Sequence, residues 1–195
     1  ELRGKISQKF DVKIENIAVG NGSEGIMANI LRSFLSEGDE MITSKATFIG
    51  FQVLARGRAN KFIEVPMVEN EYKFDLKAIL KNINEKTKII YLCNPNNPTG
   101  TIFTKDEFEE FIKRVPESVL IIMDEAYFEY AESFPEYPDS MKYKLDNVIT
   151  LRTFSKIYGI AGARIGYGFG NKDLIETIMK VNLPFEPGNL AQAGA

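Results

Sequence analysis

Three predominantly apolar segments, each of which opens on a polar residue, constrain the fold of this 195-residue chain more than any other feature of its sequence. They lie at residues 88–93, 118–123 and 147–151, and such runs are typical of strands that are buried on both faces of a parallel sheet. Segments in which apolar residues recur at helical spacing separate most of the predicted strands. This alternation predicts an α/β fold with a sheet that is parallel in its middle.

The same patterns predict the remaining elements. Helices are expected over residues 2–10, 23–36, 48–58, 75–84, 104–115 and 171–181, and further strands over 16–19, 40–43, 61–65 and 164–169. Residues 134–139 contain two prolines and are expected to form an irregular insertion. Because the chain opens within a predicted helix and stops where residues 189–195 predict another, we expect it to be part of a longer protein.

Composition removes several classes of function. The chain has no histidine, which excludes Ser/His/Asp and Cys/His catalysis and most zinc sites. No metal site is therefore predicted, and acid–base chemistry must rest on Lys, Tyr, Asp or Glu. The net charge of −3 and the absence of a long apolar run give no indication of binding to nucleic acid or membrane. The single cysteine, Cys93, excludes an internal disulfide and fits a reducing compartment, so a cytoplasmic location is expected.

A glycine-rich turn, Gly-x-Gly-x-x-Gly at residues 20–25, matches the dinucleotide-binding fingerprint in form. That fingerprint also requires an acidic residue at the end of the next strand, where it holds the ribose. A Ser-Lys pair occupies this place at residues 44–45, so we reject NAD binding. The turn still opens a helix, and free amides at its N-terminus, those of Ser23 and Glu24, favour a phosphate.

Two further loops follow buried strands, at the sheet edge where α/β folds bind ligands. Asn-Pro-Asn-Asn-Pro-Thr-Gly at residues 94–100 must be a loop, because its prolines cannot sit in a central strand. It is either a simple turn or a place where an Asn donates to a ligand oxygen. Asp124 ends the next apolar run, where a carboxylate must be paired. It is either a structural cap or ion-pair partner, or the partner of a protonated pyridine nitrogen, with the Tyr127 hydroxyl aimed into the same site.

The stretch at residues 152–166 follows the third apolar run and has the composition of a cofactor-binding loop. It supplies hydroxyls from Thr153 and Ser155, an amine from Lys156 and a guanidinium from Arg164. A lysine flanked by phosphate-type donors is what a Schiff-base site for a phosphorylated aldehyde cofactor requires. The alternative is a surface lysine in a turn, and the two upstream loops argue against it.

Taken together, these stretches resemble the pyridoxal-phosphate-dependent aminotransferases of the aspartate-aminotransferase fold type and, within them, the histidinol-phosphate aminotransferase group. Gly-Asn-Gly-Ser, Asn-Pro-Asn-Asn-Pro-Thr-Gly, Asp-Glu-Ala-Tyr and Arg-Thr-Phe-Ser-Lys occur in the family's order and at its approximate spacing, over nearly the whole chain. The resemblance implies a three-layer α/β/α sandwich around a mostly parallel sheet. It also implies a homodimer that uses pyridoxal 5'-phosphate.

The resemblance further implies a role for each matching residue. Lys156 is expected to form the Schiff base and later to move the proton, and Asp124 to pair with the ring nitrogen. Asn97 and Tyr127 are expected to hydrogen-bond the phenolic oxygen of the ring; Lys156, Asp124 and Tyr127 form the predicted catalytic set. Phe48 occupies the position of the aromatic residue that stacks on the ring, where the family often has Tyr. The phosphate is expected to be bound by Ser23 and Glu24, through their amides, and by Thr153, Ser155 and Arg164.

One departure from the family pattern concerns the phosphate site. Glu24 and Gly25 stand where the family usually has an acidic pair after the Gly-Ser step. Because the expected phosphate contact is made through backbone amides, the departure puts only side-chain contributions in doubt.

We expect residues 1–195 to form the pyridoxal-phosphate-binding large domain, without the C-terminal small domain and the N-terminal arm. The family binds the substrate carboxylate with the former and closes its site with the latter. The expected reaction transfers the amino group of histidinol phosphate to 2-oxoglutarate, a step of histidine biosynthesis. Three alternatives stay open, namely a threonine-phosphate decarboxylase or an aromatic aminotransferase of the same fold, and a non-catalytic regulator that binds the cofactor.

Overall fold

The computed structural model describes residues 1–57 and 61–195. Its strands are β1 (Ile17–Asn21), β2 (Glu40–Ser44), β3 (Lys61–Val65), β4 (Thr87–Cys93), β5 (Leu120–Asp124), β6 (Val148–Thr153) and β7 (Ile165–Phe169). Its helices are α1 (Leu2–Phe10), α2 (Gly22–Phe34), α3 (Ile49–Arg56), α4 (Leu76–Asn82), α5 (Lys105–Ile112), α6 (Phe128–Ala131), α7 (Lys172–Lys180) and α8 (Asn189–Gly194). None of the helices in these two ranges combines the length and the apolar character that crossing a membrane requires.

All strands of this described part belong to one sheet, in the order β1-β7-β6-β5-β4-β2-β3. The strands from β3 to β6 in this order are parallel, and β7 lies antiparallel beside β6. β1 is antiparallel to β7 and therefore runs in the same direction as β6. As a result, β1, β2, β4, β5 and β6 end at one edge of the sheet, and β7 begins there. The polar loops that follow these strands meet at that edge, which is where open α/β sheets bind ligands.

Helices cover both faces of the sheet. On β1, Ile17 and Val19 pack in one cluster with Leu2 and Ile6 of α1, whereas Ala18 packs in the main core with α2. This division follows from the two-residue repeat of a strand, which points successive side chains to opposite faces. Coverage of both faces explains why the central strands are apolar throughout. The structure confirms the predicted α/β/α sandwich with a mostly parallel sheet.

Two predicted helix starts carry the capping contacts that their sequences indicate. At the start of α5, the Glu107 amide donates to the Thr104 hydroxyl, and the Thr104 amide donates to the Glu107 carboxylate. At the start of α4, the carboxylate of Asp75 accepts a hydrogen bond from the amide of Ala78 at 2.8 Å. These contacts satisfy amides that have no partner within their own helix.

The predicted element boundaries lie within a few residues of the observed ones. α2 ends at Phe34, before the predicted last residue 36, because the backbone of Leu35 is extended and its side chain is buried in the core. α4 and α5 also end before their predicted last residues. The helix predicted over residues 48–58 begins at Ile49, and its predicted end lies outside the described residues.

A buried ion network joins the ends of β5 and β6. Arg152 of β6 is 1% exposed, and its Nη2 donates to Glu125 Oε2 and to Asp139 Oδ1, each at 2.8 Å. Its guanidinium also lies 3.3 Å from the centre of the Phe128 ring. Burial raises the pKa of Glu125, and the charge of Arg152 opposes that rise. The network fastens the irregular segment 134–139 to the sheet, and each buried charge in it depends on the others.

Replacing Arg152 with methionine should lower the free energy of unfolding at neutral pH by about 3–5 kcal/mol, because Glu125 would keep a buried charge without its partner. Without Arg152 the folded-state pKa of Glu125 should rise further. Protonation of Glu125 at acidic pH then removes the unpaired charge, so the loss of stability should shrink as the pH falls. Denaturant unfolding at neutral and acidic pH measures both effects.

Arg56→Met is the matched control, because Arg56 forms a surface ion pair with Glu64 at 3.0 Å and its side chain is 55% exposed. This change should cost less than about 1 kcal/mol. Adding Glu125→Gln to Arg152→Met should recover part of the loss at neutral pH. If the buried and the surface substitutions lower the free energy of unfolding equally, the buried charges do not depend on one another as described above.

Candidate active site

A cavity of about 240 Å³ opens at the sheet edge where the strand ends meet. It brings together residues from the starts of α2 and α3, from the loops after β4 and β5, and from the loop between β6 and β7. All ten residues predicted as cofactor-binding or catalytic line it, namely Ser23, Glu24, Phe48, Asn97, Asp124, Tyr127, Thr153, Ser155, Lys156 and Arg164. Their individual roles stay predictions.

One part of the cavity is suited to an anion. α2 begins there at Gly22, and no side chain caps its first turn. The first amides of a helix have no partner within it and carry partial positive charge, so they form a ready phosphate site. The hydroxyls of Thr153 and Ser155 lie on the same cavity wall and are hydrogen-bonded to each other at 3.0 Å. These groups add neutral donors to the positive helix terminus.

Two glycines allow α2 to begin against β7. A Cβ atom at Gly166 would overlap the backbone of Gly22 and Ser23, so a larger residue on β7 would push the helix terminus away. Gly22 has a φ of +71°, and a Cβ atom there would lie 2.7 Å from Arg164 Nη2. The Gly22 amide donates to the carbonyl of Arg164 at 3.0 Å. The first turn of α2 and Arg164 are therefore seated side by side.

Arg164 forms an ion pair with Glu24, with 2.9 Å between Nη2 and Oε2. Both side chains are nearly half exposed, at 46% and 45%, and an exposed pair of this kind contributes only about 0–1 kcal/mol. A stronger anionic ligand can therefore compete for the guanidinium. The sequence suggested only the amide of Glu24 as a contributor. Nothing in the sequence indicates the contact between the two side chains, which are 140 positions apart.

Asp124 forms a buried wall of the cavity and is 2% exposed. Its Oδ2 accepts a hydrogen bond from Tyr91 Oη at 2.6 Å, and its Oδ1 accepts one from the amide of Ala126 at 3.2 Å. Burial raises the pKa of this carboxyl to about 6; both hydrogen bonds and the charge of Lys156 oppose the rise, and the charge of Glu24 adds to it. Because both hydrogen-bond donors are neutral, a cationic group entering the cavity would relieve the cost of burying this charge.

Lys156 and Tyr127 lie on neighbouring loops of the cavity. The Nζ atom of Lys156 is 5.2 Å from the centre of the Tyr127 ring. Lys156 belongs to the loop between β6 and β7, whose two ends are brought together by the pairing of Thr153 with Gly166. The lysine side chain is exposed, so its amine is open to small molecules that enter the cavity.

Phe48 and Asn97 are held near each other by their preceding residues. Thr47 Oγ1 donates to Asn96 Oδ1 at 2.9 Å, and Asn96 Nδ2 donates to the carbonyl of Ala46 at 3.0 Å. Both Thr47 and Asn96 are buried. These bonds fasten the loop after β4 to the segment that enters α3, so an aromatic ring and an amide side chain are presented to the same space.

Several residues at the site were not identified as functional from the sequence. Cys93 lines the cavity from the end of β4, is buried, and donates a weak hydrogen bond from Sγ to the carbonyl of Pro95 at 3.4 Å. Burial raises the pKa of its thiol well above the ordinary range. Tyr91 contacts Asp124 but is not among the residues that line the cavity. A signal for Tyr91 existed, because a phenolic hydroxyl inside an otherwise apolar run needs a buried partner.

The arrangement defines what kind of ligand fits. The helix terminus is suited to an anion, the buried carboxylate is suited to a cation, and the amine of Lys156 can react with a carbonyl group. Phe48 offers a flat apolar surface between polar groups. The site therefore fits a compact ring that carries a phosphate, a basic nitrogen and an aldehyde.

Comparison with known proteins agrees with this geometry. Residues 1–194 match the sequence profile of the family described as aminotransferase class I and II. Histidinol-phosphate aminotransferase 2 of Carboxydothermus hydrogenoformans is 43% identical over 196 residues, which cover 100% of this chain and 54% of that protein. The aromatic amino acid aminotransferase of Corynebacterium efficiens is 41% identical over 197 residues, which cover 100% of this chain and 57% of that protein. The chain thus spans about half the length of the curated relatives it matches.

A solved structure shows the same fold. The histidinol-phosphate aminotransferase from Sinorhizobium meliloti, in complex with pyridoxal-5'-phosphate, superposes with a TM-score of 0.91 at 28% sequence identity. The superposition covers 99% of this chain and 52% of that one. Both the sequence profile and the fold similarity extend over the loops that line the cavity, and they confirm the resemblance found in the sequence. The chain belongs to the class I and II aminotransferase family.

Proposed function

We propose that this chain forms the pyridoxal-phosphate-binding part of an aminotransferase. The observation that carries the proposal is the convergence on one cavity of Lys156, Asp124 and the uncapped N-terminus of α2. These supply an amine, a buried acid and an anion site. We further propose that the amino donor is histidinol phosphate and the acceptor 2-oxoglutarate. The relatives that carry the name histidinol-phosphate aminotransferase support this donor.

The residues at the anion site fit the phosphate of the cofactor. The amides of Ser23 and Glu24 would bind it through the helix terminus, and the hydroxyl of Ser155 would add a donor from the opposite loop. Arg164 would pair with its charge after leaving Glu24, and Thr153 would orient Ser155 through their mutual hydrogen bond.

The remaining residues fit the ring. Phe48 would lie against its face, and Asn97 and Tyr127 would donate to its phenolic oxygen. Asp124 would accept from the ring nitrogen, which its ionised form keeps protonated. When bound, pyridoxal phosphate supplies the electron sink that stabilises negative charge at the substrate α-carbon. Lys156 Nζ would hold the aldehyde carbon until substrate displaces it and then move the proton as the base, so no histidine is needed.

The wider context of the chain is also a proposal. We propose that residues 1–195 are the large domain of a cytoplasmic homodimer of the histidine-biosynthesis pathway. In this view the carboxylate of the acceptor, 2-oxoglutarate, is bound by residues outside this chain. The length of the curated relatives supports this, because the chain spans only about half of it.

A second candidate reaction is aromatic amino acid transamination. A relative of that name is 41% identical over the whole chain, which lies within the 39–43% identity of the relatives named for histidinol phosphate. Both reactions would use the same cavity residues, so the residues described here support each of them equally. The two candidates differ only in the substrate side chain that the whole enzyme accepts.

The first prediction concerns Lys156. Added pyridoxal phosphate should give the protein a visible absorbance band, and borohydride should fix the cofactor to Lys156, because Lys156 is the lysine that lines the cavity in the described part of the chain. Peptide mapping by mass spectrometry locates the adduct. Lys156→Arg keeps the charge but should remove both the band and the adduct. An adduct on another lysine in the unaltered protein would refute the assignment.

The second prediction concerns Asp124 and has two opposite parts. Asp124→Asn should lower the rate of amino transfer by orders of magnitude, with each tenfold loss equal to about 1.4 kcal/mol, because the ring nitrogen loses its charged partner. The cofactor-free variant should instead be more stable at neutral pH, by up to about 3 kcal/mol. Rates and denaturant unfolding measure the two parts.

The sign of the stability change follows from the pKa. Since the folded-state pKa of Asp124 is raised to about 6, its contribution to stability is present at acidic pH and is lost as the pH rises through that value. The Asn variant should lack this loss. Asp173→Asn, which alters an exposed residue in the first turn of α7, is the control; it should leave the rate unchanged and should lower stability by less than about 1 kcal/mol. Near-normal turnover in Asp124→Asn would mean that Asp124 is only a structural cap.

The third prediction concerns the substrate. The whole enzyme, of which this chain is the proposed cofactor-binding part, is loaded with pyridoxal phosphate and mixed separately with histidinol phosphate, phenylalanine and threonine phosphate, and the change in cofactor absorbance is followed. Histidinol phosphate should react fastest and yield its keto product. Faster reaction of phenylalanine would favour the second candidate, and release of carbon dioxide from threonine phosphate would indicate a decarboxylase. Cofactor binding without reaction of any amine would indicate a regulator.

A further inference from the structure

Tyr91 places a hydroxyl group among the apolar residues 89–93 of strand β4. Tyr91 and Cys93 lie on one face of that strand, because side chains alternate, and Cys93 is paired with Asp124 in the parallel register of β4 and β5. The Tyr91 ring runs along the sheet toward the strand ends, and its Oη donates to Asp124 Oδ2 at 2.6 Å. A hydroxyl that donates to an ionised carboxylate at this distance forms a short, charge-assisted hydrogen bond.

The direction of this hydroxyl is fixed by packing. The ring of Phe51, on α3, stacks on the Tyr91 ring with 4.0 Å between their centres and 7° between their planes. Both side chains are 0% exposed. The Tyr91 ring therefore cannot swing away from Asp124 unless α3 moves off the sheet. The contact is part of the packed core and does not involve a mobile side chain at the surface.

The hydrogen bonds of Asp124 leave room for a ligand. Tyr91 donates to one carboxylate oxygen and the Ala126 amide to the other. An ionised carboxylate has about four acceptor positions, so each oxygen keeps one position free. Because Asp124 lines the cavity, a donor that enters there can use a free position while both existing bonds persist. The two bonds hold the plane of the carboxylate in a single orientation.

The charged and titratable groups around Asp124 show why this donor matters. Burial is the main cause that raises the pKa of Asp124, and the charge of Glu24 on α2 acts in the same direction. Lys156, on the loop after β6, lowers it. Cys93 beside it has a pKa raised by burial and stays a neutral thiol, and burial likewise keeps the Tyr91 phenol protonated. The Tyr91 hydrogen bond is the largest of the effects that favour the ionised form.

We propose that Tyr91 is a positioning residue for Asp124. Its hydroxyl keeps the carboxylate ionised and turned toward the cavity, where the protonated ring nitrogen of the cofactor would bind. The role rests on the proposed function, since it requires that cofactor. The coupling between Tyr91 and Asp124 belongs to the chain's own residues and can be measured without the cofactor.

Tyr91→Phe removes the hydroxyl and keeps the ring that stacks on Phe51. In the cofactor-free protein, carbon NMR of labelled aspartate follows the titration of Asp124, with Asp124→Asn to assign the signal. The pKa of Asp124 should rise by about one to two pH units. The carboxyl would then bind a proton roughly ten- to a hundredfold more tightly. A role limited to packing would leave this titration unchanged.

Tyr143→Phe is the matched control. The Tyr143 hydroxyl also donates to a carboxylate, that of Glu109, at 3.2 Å, but neither residue lines the cavity. This variant should titrate at Asp124 like the unaltered protein. An equal rise in the pKa of Asp124 in both variants would show a general effect of removing a tyrosine hydroxyl and would overturn the proposal.

The loaded enzyme gives a second readout. Asp124 must be ionised to pair with the ring nitrogen, so kcat should fall as the pH drops through its pKa. In Tyr91→Phe this decrease of kcat at acidic pH should occur at a higher pH, while activity at alkaline pH should be largely kept. If kcat falls equally at every pH, and its decrease at acidic pH has the same midpoint as in the unaltered protein, then Tyr91 only packs.

A fluorinated tyrosine placed at position 91 covers the case in which Tyr91→Phe does not fold. It keeps the shape of the ring and makes the hydroxyl a stronger donor, so the pKa of Asp124 should fall. An unchanged titration of Asp124 would overturn the proposal. If the pKa responds as expected while the unaltered protein binds no pyridoxal phosphate, the proposed function fails and the control of Asp124 by Tyr91 stands.

Discussion

The arrangement of the sheet edge at which the candidate cavity lies depends on the buried charge of Arg152. A guanidinium in a protein interior is tolerated only where carboxylates reach it, and Glu125 and Asp139 do so from the end of β5 and from the segment before β6. Glu125 directly follows Asp124, and Arg152 lies shortly before Lys156 in the sequence. By pairing its buried charges, the core therefore also sets the relative positions of the predicted ring partner and the predicted Schiff-base lysine.

Asp124 is the opposite case, because its buried charge has only neutral hydrogen-bond donors. The fold compensates Glu125 with a cation, whereas the described residues give Asp124 only neutral hydrogen-bond donors, and its raised pKa reflects this incomplete compensation. Two adjacent acidic residues thus serve different ends, one holding the structure together and the other destabilising it where a ligand would bind. Such a conflict between stability and function is expected at active sites.

The sequence was sufficient to predict most helices and strands and the residues that line the cavity. Local signals were strong, as in the capping residues Thr104 and Glu107 and the apolar run that became β4, and the site loops follow strands that end at one edge. What could not be predicted depends on distant contacts. The run at residues 164–169 indicated a strand but not its antiparallel direction, and the partners of Asp124 and Arg164 lie 33 and 140 positions away. Roles assigned through the family resemblance stay predictions, because a cavity lining does not show which residue reacts.

Two nucleophilic atoms line this cavity, the sulfur of Cys93 and the amine nitrogen of Lys156, and they differ in their availability for reaction. Thiols add to carbonyl carbons and react with oxidants as thiolates, and burial keeps the sulfur of Cys93 in its protonated form beside the carbonyl of Pro95. The amine of Lys156, in contrast, stands on an exposed loop of the same cavity. An aldehyde that enters the cavity would therefore meet an accessible amine and a sulfur atom that burial keeps protonated.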